Sequence, residues 1–323
     1  MFEPSIELRK RFCKDNNISM QLFVEPYFSE RLSLFGKKEK YDDFVKMIEN
    51  DFNGNEEEYF AYYNKTKDSI IDYIKSSPAF VHLNSCDMNQ FAVKTEYPQR
   101  DVYKESFIGR TFISIDIAKA NFSSLILYAK TCKERFFAED EDFCFNYDKF
   151  MEQFTVIPHI KDSKYIRQVV FGNCNPKRQV TYEKYVSNTI LNMLFELEGM
   201  KKEYVVSLAH DEIILCADDM EMELLNRIKE KVDFLNSNYI PLHFEYFTLG
   251  RMWGTTAYIK KIYDTFDKDG NFEYVVKAAN GYDLPLIYRK LNNEEIQEND
   301  LVFVQEGRLS KFLDVPKMEI TFS

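Results

Sequence analysis

The tripeptide His210-Asp211-Glu212 stands between two short apolar runs, Tyr204 to Ala209 and Ile213 to Ala217. Three ionisable groups at the tip of an apolar hairpin are costly unless they are solvated, paired or bound to a cation. Another carboxylate, Asp116, closes a similar run, Phe112-Ile-Ser-Ile-Asp116. If the two runs are neighbouring strands, both carboxylates project from one sheet edge. Hard oxygen ligands on rigid strands suit magnesium, which takes one or two carboxylates and keeps positions for water and phosphate oxygens. The main-chain carbonyl of Ile117 could add a ligand. Two such ions, with manganese as a substitute, would activate an attacking hydroxyl and stabilise a departing pyrophosphate. Singly, each residue has a plainer explanation: Asp116 as a helix cap, Asp211 as a turn residue.

The elements that must hold these groups are legible as patterns. Thr111 to Ile117 alternates like a strand, and Ala118 to Lys130 has helical spacing, with Phe122, Leu125, Ile126 and Ala129 on one face. Tyr182 to Gly199 is amphipathic, with Tyr182, Tyr185, Val186, Ile190, Met193, Leu194 and Leu197 at three- and four-residue intervals. A helix is expected from about Asp219 to Asn236 and a strand over Leu242 to Leu249. The order strand, helix, insertion, helix, hairpin, helix, strand predicts an α+β layer: an antiparallel sheet with helices on one face. Residues 1–105 read as mainly helical, with helices near 40–53 and 55–76 parted by a turn at Asn53-Gly-Asn55, and strands at Phe80 to Leu83 and Gln90 to Lys94. Residues 261–323 read as a small β-rich appendage. Its Asp267-Lys-Asp-Gly270 is a hairpin turn rather than a calcium loop, because Thr265 and Val276 occupy positions where such a loop needs carboxylates. Glu139 to Asp142 reads as a solvated acidic loop.

Composition narrows the classes. A chain of 323 residues, 45% hydrophobic and 29% charged, can bury a sizeable core. Its net charge of -11 argues against coating nucleic acid by bulk positive potential, yet Lys161, Lys164, Arg167, Lys177, Arg178 and Lys184 face only Asp162 and Glu183 in one segment. Six scattered cysteines without a Cys-x-x-Cys pair indicate neither a disulfide framework nor zinc, and fit a reducing cytoplasm. No apolar run approaches the roughly 18 residues of a membrane span, and Met1 leads directly into a charged segment; no membrane partner is expected.

These residues together resemble the family A DNA polymerases. The His210-Asp211-Glu212 hairpin is similar to their third signature, and Phe112 to Phe122 to their first, a strand ending in a metal-binding aspartate and running into a helix. Arg167-Gln-Val-Val-Phe171-Gly172 resembles the fingers-helix signature, and Arg178 opens a helix like the palm helix before the third signature. Ile240 to Tyr246 and Gly250-Arg-Met-Trp253 resemble the closing part of the palm. The resemblance spans about residues 105–260 and implies a polymerase palm over 106–260, with an abbreviated fingers insertion at about 135–177 and a reduced thumb or cap before it. It implies two magnesium ions on Asp116, Ile117 and Asp211, with His210 and Glu212 supporting the primer terminus and the metal site. Arg167 would meet the triphosphate, Phe171 would stack on base or sugar, and Lys164 and Asn121 would join the nucleotide site. Arg178 and Lys177 would hold the primer-template backbone.

Asn121 stands where the family has a Glu that helps exclude a 2'-hydroxyl, and Asn175 where it has a Tyr. The segment between Asp116 and Asp211 is too short for full fingers, and no exonuclease carboxylates are visible. The expected activity is extension of a nucleic-acid 3' end from nucleoside triphosphates, with an accessory polymerase subunit as a further partner. A template-independent transferase or primer-making enzyme, and a silent palm scaffold binding nucleic acid or a partner polymerase, are the alternatives. The expected setting is the cytoplasm, a host's if the compact design is viral.

Overall fold

In the computed structural model, which describes residues 2–99, 102–134, 136 and 145–322, the runs rich in β-branched and aromatic residues form one antiparallel sheet. Its main strands are β1 (Thr111–Ile117), β2 (Val205–Leu208), β3 (Glu212–Cys216), β4 (Leu242–Trp253), β5 (Tyr258–Tyr263) and β6 (Phe272–Lys277), in the order β2-β3-β1-β4-β5-β6. The first strand in the chain therefore lies inside the sheet, between the hairpin that carries Asp211 and the long β4. Its register places Asp116 opposite Glu212 on one side and His243 on the other.

The N-terminal region is mainly helical: α1 (Ile6–Asp15), α2 (Tyr27–Leu34), α3 (Lys38–Phe52), α4 (Glu56–Ser76) and α5 (Pro78–Ser85). Asn53 and Gly54 both take positive φ between α3 and α4, which the expected turn requires. The strands expected at 80–83 and 90–94 are not formed. Phe80 to Leu83 lies in α5, where Pro78 sits in the first turn and the Ser77 hydroxyl accepts from the Phe80 amide. Residues Met88–Phe91 form a single 3-10 turn. A short apolar run suits either a strand or one buried helix face, and here the helical neighbours decide.

Next come α6 (Ala120–Cys132), α7 (Tyr147–Met151), α8 (Pro158–Lys161), α9 (Lys164–Gly172), α10 (Pro176–Phe195) and α11 (Met222–Asn238). Pro176 fits the first turn of α10, where its missing N–H costs nothing. Alternation splits the sheet into two faces. Ile113, Ile115, Ile117, Ile213 and Leu215 join Phe122, Val186, Ile190, Leu194, Ile228 and Val232 of the helices in one core. Each such aliphatic chain contributes about 1.5–3 kcal/mol by leaving water. The opposite parity carries Phe112, Ile214, Phe247 and Leu249, covered by Val102 and Phe107, and then turns polar toward Ser114 and Asp116. The acidic run Glu139 to Asp142 lies outside the described residues. Among the described residues, no helix is long and apolar enough to cross a membrane.

The C-terminal segment is less separate than a β appendage. Its β6 extends the main sheet and β9 (Glu319–Thr321) pairs with the end of β4. The Asp267 to Gly270 turn joins β5 to β6, with the Gly270 amide donating to the Asp267 carbonyl at 3.3 Å. Helix α12 (Leu284–Leu291) and the hairpin β7 (Val302–Gln305) and β8 (Arg308–Lys311) lean on the N-terminal helices. The buried Arg31 donates to the Val302 carbonyl, Asn299 donates to Glu30 at 2.9 Å, and Phe35 meets Tyr288 with ring centroids 5.0 Å apart. A Cβ at Gly281 would come within 3.2 Å of Ser19 and Gln21, so the chain after β6 passes tightly against the loop after α1.

Candidate active site

The β2–β3 turn is tight: the Ala209 amide donates to the Glu212 carbonyl at 2.8 Å, leaving His210 and Asp211 at the tip. The Ile117 amide donates to the Asp211 carbonyl at 2.8 Å. That bond fixes the end of β1 against the tip and makes Asp116 and Glu212 the closely spaced kind of antiparallel pair. In an extended strand the N–H and C=O of one residue point the same way, so the Ile117 carbonyl also faces the Asp211 side. Glu212 leans back along the sheet to accept from Ser114 Oγ at 2.6 Å. Glu245 lies on the same face and accepts from the buried Lys260 at 2.6 Å.

Carboxylates thus outnumber their cations here. Burial, then Asp211, Glu212 and Glu245, push the Asp116 carboxyl up to about 7, against the pull of Lys260. A divalent cation would relieve that repulsion. Among the described residues, no three His, Cys, Asp or Glu side chains are grouped so as to hold a metal alone. The fit therefore rests on two carboxylates, Asp116 and Asp211, with the Ile117 carbonyl beside them; magnesium completes such a set with water and substrate oxygens.

Helix α10 supplies residues that the sequence patterns did not single out. Gln179, Glu183 and Ser187 recur every four residues on one buried stripe. Gln179 donates to the Phe171 carbonyl at 3.4 Å, closing the end of α9. The Ser187 hydroxyl donates to the His210 carbonyl at 2.9 Å. Glu183 is 0% exposed; its Oε1 accepts from Asn121 Nδ2 at 3.1 Å and its Oε2 has no hydrogen-bond partner. That oxygen lies 4.0 Å from His210 Nε2, which is itself 3.2 Å from Asp211 Oδ1. Burial and the Asp211 charge push the Glu183 carboxyl up to about 7. A buried carboxylate oxygen without a hydrogen-bond partner is rare enough to ask for a role. Its signal was present in the sequence as polar residues at helical spacing inside an apolar pattern.

The remaining expected residues divide. Lys164 and Arg167 sit three apart on α9, both half-buried, with Arg167 5.7 Å from the centroid of the Tyr147 ring. Ser163 caps α9 by accepting from the Ile166 amide at 3.0 Å. Phe171 is 1% exposed and packs edge-on to Phe122, so it presents no ring face to a base in this conformation. Asn121 is turned inward to Glu183 rather than outward. Arg178 donates through Nη1 to the Leu83 and Cys86 carbonyls, both at 2.9 Å, which ties α10 to the end of α5. Lys177 is exposed. Lys119, which has no assigned role in the resemblance, lies 3.4 Å from Asp148 and 4.7 Å from the Tyr147 ring centroid.

No protein-family model matches this chain, and a search of curated proteins returns no match.

Proposed function

We propose that the chain is a metal-dependent nucleotidyltransferase with a palm of the family A DNA polymerase kind, extending a nucleic-acid 3' end with nucleotides from nucleoside triphosphates as pyrophosphate leaves. The carrying observation is the pairing of β1 with the Asp211 turn, which sets Asp116 beside Asp211 on a sheet edge short of positive charge. Magnesium on Asp116, Asp211 and the Ile117 carbonyl would supply charge stabilisation to the attacking and departing oxygens. The chain's own residues do the rest. Glu212 and Ser114 hold the β1–β3 edge, and α10 pins the turn through Ser187 and flanks His210 with Glu183. The half-buried Lys164 and Arg167 offer cations to phosphate oxygens, a guanidinium being suited to fork onto them.

The test is extension of a primed template with magnesium or manganese. Asp116→Ala and Asp211→Ala should each lower the rate at least about a thousandfold, the scale of losing charge stabilisation at a transferring phosphoryl group. Activity that survives either substitution sinks the assignment. Incorporation that ignores template sequence would select the terminal transferase form of the same chemistry.

A further inference from the structure

The cations around the carboxylate cluster are partnered unequally. Lys260 of β5 is spent on Glu245, 2.6 Å away. The β5–β6 register sets Lys277 opposite Tyr258 and Val275 opposite Lys260, so both lysines project from the face that bears Asp116, Glu212 and Glu245. Lys277 is half-buried, yet among the described residues no carboxylate lies within ion-pair distance of it and its ammonium forms no hydrogen bond. Burial, then Lys260, pull that ammonium below the usual lysine range, with Lys164 adding to the pull and Glu245 and Glu212 opposing it. Lys277 therefore senses both the carboxylate cluster and the start of α9. Lys164 and Arg167 are likewise half-buried and, among the described residues, without an ion pair. In a chain of net charge -11, acidic partners are in ample supply, and a partly buried cation left unpaired is costly.

The span between these cations is held by packing at both ends. Strand β6 leads into the segment pressed against Ser19 and Gln21, just after α1. Helix α1 in turn packs on α9: Arg11 lies 4.6 Å from the Tyr165 ring centroid, and the Ser163 hydroxyl donates to Asp15 at 2.7 Å. Cations on elements fixed in this way are preorganised for a multiply charged anion, because little freedom is lost on binding.

We infer that Lys277 of β6, with Lys164 and Arg167 of α9, forms one phosphate-binding site that grips the triphosphate tail of the incoming nucleotide from two sides of the carboxylate cluster. This inference rests on the nucleotidyltransferase reading and enlarges it: the C-terminal segment becomes part of the substrate site. Were Lys277 only a counter-ion to Glu212 and Glu245, its removal would disturb the carboxylates and leave polyphosphate affinity alone.

Calorimetry with inorganic tripolyphosphate and magnesium, on the full chain, separates these roles. Lys277→Gln should weaken tripolyphosphate about tenfold or more, the scale of one charge-assisted contact, and Lys277→Arg should restore most of the affinity. In primer extension the same change should raise the nucleotide KM by a similar factor while kcat and the primer KM hold. Unchanged tripolyphosphate affinity and nucleotide KM in Lys277→Gln overturn the inference and leave the transferase reading intact. An effect confined to the primer KM also overturns it, by giving Lys277 to backbone phosphate. Tripolyphosphate binding that needs Lys277, in a protein that extends no primer, supports the phosphate site and sinks the transferase reading instead.

Discussion

Two carboxylate clusters in this chain, one buried and one half-buried, differ in how their lone pairs are used. Asp15, 2% exposed at the end of α1, accepts from the Tyr63 hydroxyl at 2.6 Å and the Ser163 hydroxyl at 2.7 Å, while His159 Nε2 stands 2.9 Å from its other oxygen. The His159 ring is held over Phe44, with centroids 4.3 Å apart. Every partner comes from a different element, so Asp15 ties α1, α4, α8 and the cap of α9 together. Around Asp116 the reverse holds. Of the four carboxylates there, only Glu245 is shown paired with a lysine, and Glu183 keeps an oxygen without a hydrogen-bond partner. A fully satisfied cluster spends its charge on the fold, whereas an unsatisfied one costs the fold stability and keeps its charge for something that binds.

The sharpest break in this comparison would come from exchanging the outcomes of substitution. Asp116→Asn should abolish extension, by at least about a thousandfold or about 4 kcal/mol in barrier, while the metal-free protein melts no lower than the unsubstituted chain. Asp15→Ala should do the opposite. It strands two hydroxyls and an imidazole in the interior, for a loss of about 3 kcal/mol or more in unfolding free energy. Extension per folded molecule at saturating nucleotide should hold below its melting transition, since loosening the Ser163 cap of α9 bears on nucleotide affinity alone. Chemical denaturation beside extension rates measures both, and an activity loss in Asp15→Ala beyond the loss of folded protein would place that cluster in the working site.

Glu183 is the intermediate case. Glu183→Gln keeps the shape and can still face Asn121, but removes the carboxylate beside His210. We expect kcat to fall about tenfold, the lower end for residues that orient metal-site groups, with stability equal or improved. A stability loss without a rate loss would move Glu183 into the class of Asp15.

How much of this was legible in the sequence follows the same division. Strand alternation marked β1, β3 and β4, whereas the adjacency of β1 to the Asp211 turn was only a condition there and is supplied by the pairing of β1 with β3. The apolar face of α10 was equally plain, but its polar stripe was not, since Gln179, Glu183 and Ser187 look like a solvated face until α6 and the turn cover them. Phe171 shows the converse. It carries the spacing of a signature and also the spacing of the buried residues Ile166 and Val170, and the core has claimed it. The Asp15 cluster and the return of β6 and β9 to the sheet depend on contacts between distant segments, which no local pattern encodes.

The smallest expected effect is also the one that separates the clusters without substituting either. The folded chain holds the Asp116 and Glu183 carboxyls up at about 7, well above the ordinary carboxylate range. Such groups favour the folded state while protonated. Their contribution is complete below about pH 4, where the unfolded chain also protonates them, and is lost as pH rises through about 7. Metal-free protein should therefore melt on the order of a few degrees lower at pH 8 than at pH 5. Asp15→Ala should keep that slope because Asp15 lies outside the cluster, and Glu183→Gln should reduce it. Magnesium added at pH 8 should raise the transition in the unsubstituted chain and in Glu183→Gln, but not in Asp116→Asn, because the ion rewards only the carboxylates that bind it. A slope that survives in the double variant Asp116→Asn, Glu183→Gln would mean that its source lies elsewhere in the fold, and the contrast between satisfied and unsatisfied carboxylates would lose its energetic basis.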